Sequence, residues 1–471
     1  MFGSLVDSRR GVGARARARA FATRPLVAAF VALAVPHRSF AQGAVRLDTS
    51  GADIDAILRR AATANPAIRA SEARYTAAQS RIGPAAVRPD PVMMAGIINL
   101  PLTRMDAAGS SLPDEMTMKM VGVSQTIVYP GKLLLARQVA ASEAEGARAA
   151  IDVTRRDVER SAKQAYYEIA YLDRAIDITA QTSNVLADVV RVTETHYSTG
   201  AGGQQDVLKA RVESSRLSET ANMLIEQRRA ALAQLNAVLD LPSDAPVARA
   251  LIPDRIVGAA LARDAALVRF TAQTLGSPAA DSPLPSATTL QNLAIEHSPA
   301  LREHEAMIAA QATRVELARK AYKPDFDLSL QYGQRTGRPD MITAQISVPL
   351  KLHRRTREDQ QLAAASGDLA ALHAEHTVRV NALREEVAGL VAELDRNRTQ
   401  LALYTKAILP QGRAAVTAAL TSYQAGRADL LTVLDNENTI FAYEIAYYRA
   451  LSDFAKNIAR LEQVVGAEVL P

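Results

Sequence analysis

The sequence predicts a mainly α-helical chain with a small β part, built from duplicated long antiparallel helical hairpins and four strands. Three observations carry that expectation. Residues 131–241, between Pro130 and Pro242, contain no proline, and apolar residues recur there at three- and four-residue steps (Ile151, Val158, Ala162, Ala165, Ile169, Leu172, Ile176), the signature of a helix with one buried stripe. Elsewhere two pairs of segments switch to a period of two. The whole order of patterns then recurs in the second half, which marks a tandem duplication.

At the start of the chain, Arg9, Arg10, Arg15, Arg17, Arg19 and Arg24 precede an apolar run from Leu26 to Val35 and a small-x-small site at Ser39-Phe40-Ala41. This reads as an export signal over residues 1–41. Arg9-Arg10 has no apolar pair close behind it, so ordinary secretion is preferred to a twin-arginine route. The segment holds seven Arg and one Asp, which leaves the mature chain with a net charge of −1 from a total of +5. The isoelectric point of 9.3 therefore belongs largely to the removed segment, and a nucleic-acid partner loses its main support.

Composition narrows the class further. Apolar residues make up 48% of the chain, but aromatics only 4%, and there is no Trp, which suits close helix packing rather than a bulky globular core. The absence of Cys excludes disulfides, thiolate metal sites and lipidation of an N-terminal cysteine. No stretch after residue 41 reaches 18 consecutive apolar residues, so a membrane-spanning helix is not expected. A secreted chain of this kind is periplasmic, extracellular or inserted in a membrane as strands.

The first repeat, expected over residues 42–242, opens with a helix from Ile54 to Val87, broken locally at Asn65-Pro66. Strands are expected over Pro89–Leu102 and Met116–Tyr129, joined by a polar loop. A helix of roughly 100 Å follows, ending at Thr199-Gly200-Ala201-Gly202-Gly203, where a turn sends a second helix back. Residues 243–286 hold five prolines and read as a linker with a short helix from Ile256 to Thr274.

The second repeat, over 287–471, returns a helix (Leu290–Tyr322), strands (Pro324–Gly333 and Met341–Leu350), a long helix (Lys351–Gln424), a turn at Gly426 and a returning helix (Asp429–Val465). Local echoes support this. Asn65-Pro66-Ala67 matches Ser298-Pro299-Ala300, Arg88-Pro89-Asp90 matches Lys323-Pro324-Asp325, and Tyr197-x-x-Gly200 matches Tyr423-x-x-Gly426, at offsets of 233, 235 and 226 residues.

Phe326, Leu328, Leu330 and Tyr332 alternate with Asp327, Ser329, Gln331 and Gly333, and Ile342, Ala344, Ile346 and Val348 alternate with Thr343, Gln345 and Ser347. A half-buried soluble sheet shows such alternation, and so does a lipid-facing barrel strand. Behind an export signal and beside helices of this length, the barrel is preferred. Four strands cannot close one, because about eight are needed for even a narrow barrel, and open edges are not tolerated in lipid. Three chains would supply twelve strands.

With these residues in view, the chain resembles the TolC-like outer-membrane efflux proteins. The resemblance covers the mature chain: the duplicated order, Val123-Ser124-Gln125 through Pro130-Gly131-Lys132, Tyr197-x-x-Gly200 with Gln204-Gln205-Asp206-Val207-Leu208, and Ile408-Leu409-Pro410 with Tyr423-Gln424-Ala425-Gly426 and Leu430-Leu431-Thr432-Val433-Leu434-Asp435. It implies a homotrimer with a twelve-stranded barrel in the outer membrane, surrounded by its lipid, and an α-helical tunnel reaching through the periplasm. That object would be the passive exit duct of a tripartite pump, meeting a periplasmic adaptor (membrane fusion) protein and an inner-membrane RND-type transporter, with no cofactor.

By the same resemblance the glycine turns form the periplasmic tip, and Tyr197, Gly200, Asp206, Tyr423, Gly426, Arg427, Asp429 and Asp435 are the candidate gate residues. Asp435 matches a position from which some members project an aspartate ring. The position three residues earlier, a second ring in some members, is Thr432 here, and Arg427 sits one residue earlier than the turn arginine of the best-known member. Turn and capping chemistry is the alternative for Asp206 and Asp429. The segment Ser124-Gln125 to Gly131-Lys132 is similar to members serving heavy-metal cation pumps; a drug or solvent duct would use the same architecture.

Other residue groups invite chemistry. Six of ten Met lie between Met93 and Met120, with Met116, Met118 and Met120 alternating; thioethers suit Cu(I) or Ag(I), and apolar filling of a barrel face is the preferred reading. His373 and His376, and His297 and His304, match no zinc-enzyme helix motif and read as solvated helix surface. No nucleophile elbow, phosphate loop or dinucleotide fingerprint is present, so no enzyme is expected. A secreted coiled-coil scaffold that never enters a bilayer is the competing class.

Overall fold

The computed structural model describes residues 53–99, 116–261 and 284–470. The expected export signal, the loop after the first strand and much of the proline-rich linker fall outside these residues. A short helix, α1 (Ile54–Ala64), is capped by the Asp53 carboxylate, which accepts from the Asp55 amide. Asn65 then ends α1 and starts α2 (Pro66–Ala85): its Oδ1 accepts from the Ala67 amide at 2.8 Å and its Nδ2 donates to the Val238 carbonyl at 2.8 Å. Pro66 stands at the first helical position, where a missing N–H costs nothing.

Two strands follow, β1 (Val92–Ile98) and β2 (Met118–Ile127). The helix α3 runs unbroken from Lys132 to Ser198, 67 residues, or about 100 Å. After the glycine turn, α4 (Gln204–Val238) returns along it. The linker contributes α5 (Asp254–Leu261), shorter than the expected helix, whose remaining residues lie outside the described set.

The order then recurs as α6 (Ala287–His297), α7 (Pro299–Lys320), β3 (Phe326–Arg335) and β4 (Met341–Ser347). The second long rod starts at Glu358, not Lys351: α8 (Glu358–Leu403) passes through a π-helical turn, Tyr404–Ile408, into α9 (Leu409–Gln424). Pro410 explains the turn, since its ring would clash with the Lys406 carbonyl in regular α geometry and it donates no N–H. Helix α10 (Leu430–Val465) closes the chain at Gly466, whose φ of 77° and approach to the His297 carbonyl leave no room for a side chain.

The four strands form one antiparallel sheet in the order β1-β2-β3-β4, so β1 and β4 each keep an unpaired edge. Helices α2, α4, α7 and α10 pack on α3, and α8 packs on α7 and α10. The main core lies around the middle of α3, where Tyr166, Tyr167, Ile169 and Leu172 meet Leu235, Leu290, Leu394, Phe454 and Ile458. Several buried polar groups are paired there: the Tyr166 hydroxyl donates to the Leu251 carbonyl and accepts from the Leu251 amide, Asp173 takes Arg228 at 2.6 Å and the Ala250 amide at 3.2 Å, and Lys163 meets Glu462 at 2.6 Å. Burial, foremost, pushes the Tyr167 hydroxyl pKa up.

Candidate functional site

The two glycine turns, 226 residues apart in sequence, lie side by side. At the first, the Ala201 and Gly202 amides both donate to the His196 carbonyl, with Gly200 at φ 75°. At the second, the Arg427 amide donates to the Ser422 carbonyl at 2.8 Å and Gly426 stands at φ 66°. Both are left-handed helix stops that glycine takes without strain. A small separate core joins them, formed by Leu186, Val189, Ala210, Leu217, Ala419, Tyr423, Leu430, Val433 and Leu434.

Tyr423 is part of that core. Its hydroxyl lies 3.1 Å from Thr193 Oγ1, and its ring lies 5.3 Å from the His196 ring. The matching Tyr197 of the first repeat is half exposed, so the two equivalent tyrosines have different environments. Asp429 caps α10, accepting from the Thr432 amide at 3.0 Å; the Thr432 hydroxyl and amide together hold its carboxyl below the usual range. Asp206 stands in the first turn of α4, whose cap, Gly203, supplies no side chain. Arg427 and Asp435 are exposed, and neither has an ion-pair partner among the described residues. Gly200, Gly426, Tyr423, Asp429 and Asp206 thus gather at one end, while Asp435 stands on the second turn of α10.

At the sheet, register gives each face a composition. Phe326, Leu328, Leu330 and Tyr332 pair through the sheet with Ile127, Gln125, Val123 and Val121, with Met93 and Ala95 beyond them, and with Ile342, Ala344 and Ile346 on the other side, while Lys119 pairs with Gln334 at the far end of this face. This apolar face is open: Leu330 is 53% exposed, Ile346 70% and Ile342 75%. The opposite face carries Ser124, Thr126, Asp327, Ser329, Gln331, Thr343, Gln345 and Ser347. Met118 and Met120, with Met94 and Met341, belong to this polar side, interleaved with Gly96, Gly122 and Gly333. The face these methionines fill is therefore the one shared with the polar residues, and Met116 lies in a turn before β2.

His304 corrects another expectation. It is buried in α7, its ring stacks on His376 of α8 at 5.7 Å, and its Nε2 meets the Leu372 carbonyl at 3.0 Å. The helix-face spacing of the histidines gave no sign of this, because the burial comes from the crossing of α7 and α8. Among the described residues no cluster of three or more His, Asp or Glu could hold a metal ion, and no helix is long and apolar enough to cross a membrane.

The family model for "outer membrane efflux protein" matches residues 57–240 and 290–467. No curated protein matches by sequence. Among solved structures, the outer-membrane channel OprN is 17% identical, with a TM-score of 0.70, over 89% of this chain and 91% of that one. The outer-membrane protein VceC of Vibrio cholerae is 18% identical at 0.70, over 88% and 96%. The CmeC outer-membrane channel of Campylobacter jejuni is 13% identical at 0.67, over 88% and 86%.

Proposed function

The chain belongs to the outer membrane efflux protein family, and from that premise we propose that three copies close a twelve-stranded barrel in the outer membrane and form the passive exit duct of a tripartite efflux pump. One observation carries the proposal: a sheet with an open apolar face, a polar opposite face and two unpaired edges. In lipid each orphaned backbone group costs several kcal/mol, so a sheet of this kind is stable there only when neighbouring chains pair β4 with β1. The polar face then lines the bore.

The helices continue that bore through the periplasm, and the glycine turns form its tip, where a periplasmic adaptor protein and an inner-membrane RND-type transporter complete the pump. Tyr197, Asp206, Arg427 and Asp435 are left exposed or half-exposed at the tip to act between copies, while Tyr423, Gly200, Gly426 and Asp429 shape the turns. Repeated by the threefold axis, Asp435 places three carboxylates in one ring, which attracts cations and resists anions. That charge, with the likeness of Ser124-Gln125 to Gly131-Lys132 to members serving metal pumps, favours heavy-metal cations as the cargo. No step requires a cofactor.

The test is extraction from outer-membrane fractions followed by electrophoresis with and without boiling. A detergent-stable species of three chains that collapses to one on heating supports the shared barrel; a soluble periplasmic chain sinks it and restores the scaffold reading. For the cargo, a strain lacking the chain should lose tolerance to copper, silver, zinc or cadmium salts. Loss of tolerance only to detergents and organic drugs would transfer the assignment to a drug or solvent duct.

A further inference from the structure

All four strand-to-helix junctions lie at one end of the sheet, because Val92 pairs with Ser124, Ile127 with Phe326 and Asp327 with Ser347. The connecting residues 86–91, 128–131, 321–325 and 348–357 hold six Lys or Arg against two Asp. Some of that charge is spent internally. Lys351 and Arg357 grip Glu358 at 3.0 and 2.7 Å, Asp325 is taken by Lys132, and Asp359 by the Tyr322 hydroxyl. Arg88, Lys323, Arg354 and Arg355 are exposed and have no ion-pair partner among the described residues.

Two and four residues before Arg354 stand Leu352 and Leu350, each 80% exposed. They continue the even-numbered apolar series of β4, Ile342, Ala344, Ile346 and Val348. Two leucines this open are costly in water, at about 1.5–3 kcal/mol each relative to burial, and cost nothing against acyl chains. Within six residues, Leu350 to Arg355, the chain passes from side chains that suit hydrocarbon to guanidinium groups that suit phosphate. Guanidinium binds a phosphodiester through paired N–H donors, and basic clusters beside a membrane-spanning segment attract anionic head groups.

We propose that Leu350, Leu352, Arg354 and Arg355 form a docking site for anionic phospholipid in the leaflet facing the helices: the leucines among the acyl chains, the arginines on the phosphate. Arg88 and Lys323, on the neighbouring junctions, extend the same basic collar. The inference rests on the shared-barrel reading and goes beyond it, since a barrel needs only apolar contact with lipid and makes no demand on head-group charge.

The experiment is native mass spectrometry of the purified trimer with phosphatidylglycerol and phosphatidylethanolamine in competition, for the wild type and for Arg354→Gln/Arg355→Gln. The wild type should retain phosphatidylglycerol preferentially, and the double variant should remain trimeric while losing roughly tenfold in that preference. Equal retention of the two lipids by the wild type, or an unchanged preference in the variant, overturns the site. A variant that dissociates in both lipids also overturns it, because the arginines would then be subunit contacts. A wild type that yields no trimer fails the barrel reading first and takes the docking site with it.

Discussion

The Lys132 ammonium lies 2.8 Å from Asp325 Oδ1, and so ties the start of the first long helix to the segment that leads into β3. The same oxygen accepts from the Tyr129 amide at 2.7 Å. One carboxylate in the second repeat thereby fixes the junction of the first, at the level where sheet gives way to helix.

Burial acts to raise the Asp325 pKa, but the Lys132 and Tyr129 bonds outweigh it and hold the carboxyl below its ordinary 3.8. The folded state therefore binds this proton less readily than the unfolded state. The stabilisation is complete above the unfolded pKa and is lost as pH falls through the folded one. Because the pair is partly exposed, Asp325→Asn should cost only about 1 kcal/mol at neutral pH. Thermal dissociation followed from about pH 7 down to about pH 3 should show a shallower acid limb in the variant; parallel limbs would remove the linkage.

Leu330 and Gln331 are adjacent but face opposite sides of the sheet. Arginine on a lipid-facing strand position costs about 2–4 kcal/mol near the membrane midplane, whereas a lumen position tunes selectivity. Leu330→Arg should deplete the chain from outer-membrane fractions, while Gln331→Arg should assemble and shift ion preference toward anions. Equal depletion of both variants would count against the assigned faces.

Asp435 is exposed, and Asp435→Asn would discharge the proposed ring without altering its size. Reversal potentials in planar bilayers under a salt gradient should move toward lower cation preference, most at low ionic strength, where screening is weakest. An unchanged reversal potential would remove the ring.

Lys163 and Glu462 form a 2.6 Å pair between α3 and α10 in which both side chains are nearly buried. Lys163→Met strands the Glu462 carboxylate and should destabilise the chain by about 3 kcal/mol, and adding Glu462→Leu should recover part of that loss. A double-mutant cycle reads the coupling; additive losses would show that the pair is not a unit.

The long rods were legible because a proline-free stretch with one apolar stripe and a single glycine interruption leaves little else for residues 132–238 to do. Likewise, alternation in β3 and β4 exposed the two faces before any register was known. What stayed hidden depends on contacts between distant elements. The rod starts at Glu358, where Lys351 and Arg357 converge on that carboxylate, Arg357 foremost, and hold its pKa at about 2. Nothing periodic marks that clamp.

At the glycine turns, the repeat echo located Tyr197 and Tyr423 as equivalents, yet only Tyr423 enters the core between the hairpins. Equivalence in sequence says nothing about which copy faces inward. Asp429 was readable as a helix cap from its place before Leu430, and Thr432 completes that cap. The burial of His304 against His376 had no local signal, since both helices carry their histidines among ordinary polar neighbours.

The unpaired edges of β1 and β4 also have a genetic consequence. A chain damaged at one edge keeps the other, and so can still enter the ring of three proposed above and spoil its closure. In a cell making sound and damaged chains equally, random mixing leaves about one ring in eight free of the faulty copy. Lesions at the sheet edges would therefore be inherited as dominant traits, and lesions that abolish the chain altogether as recessive ones.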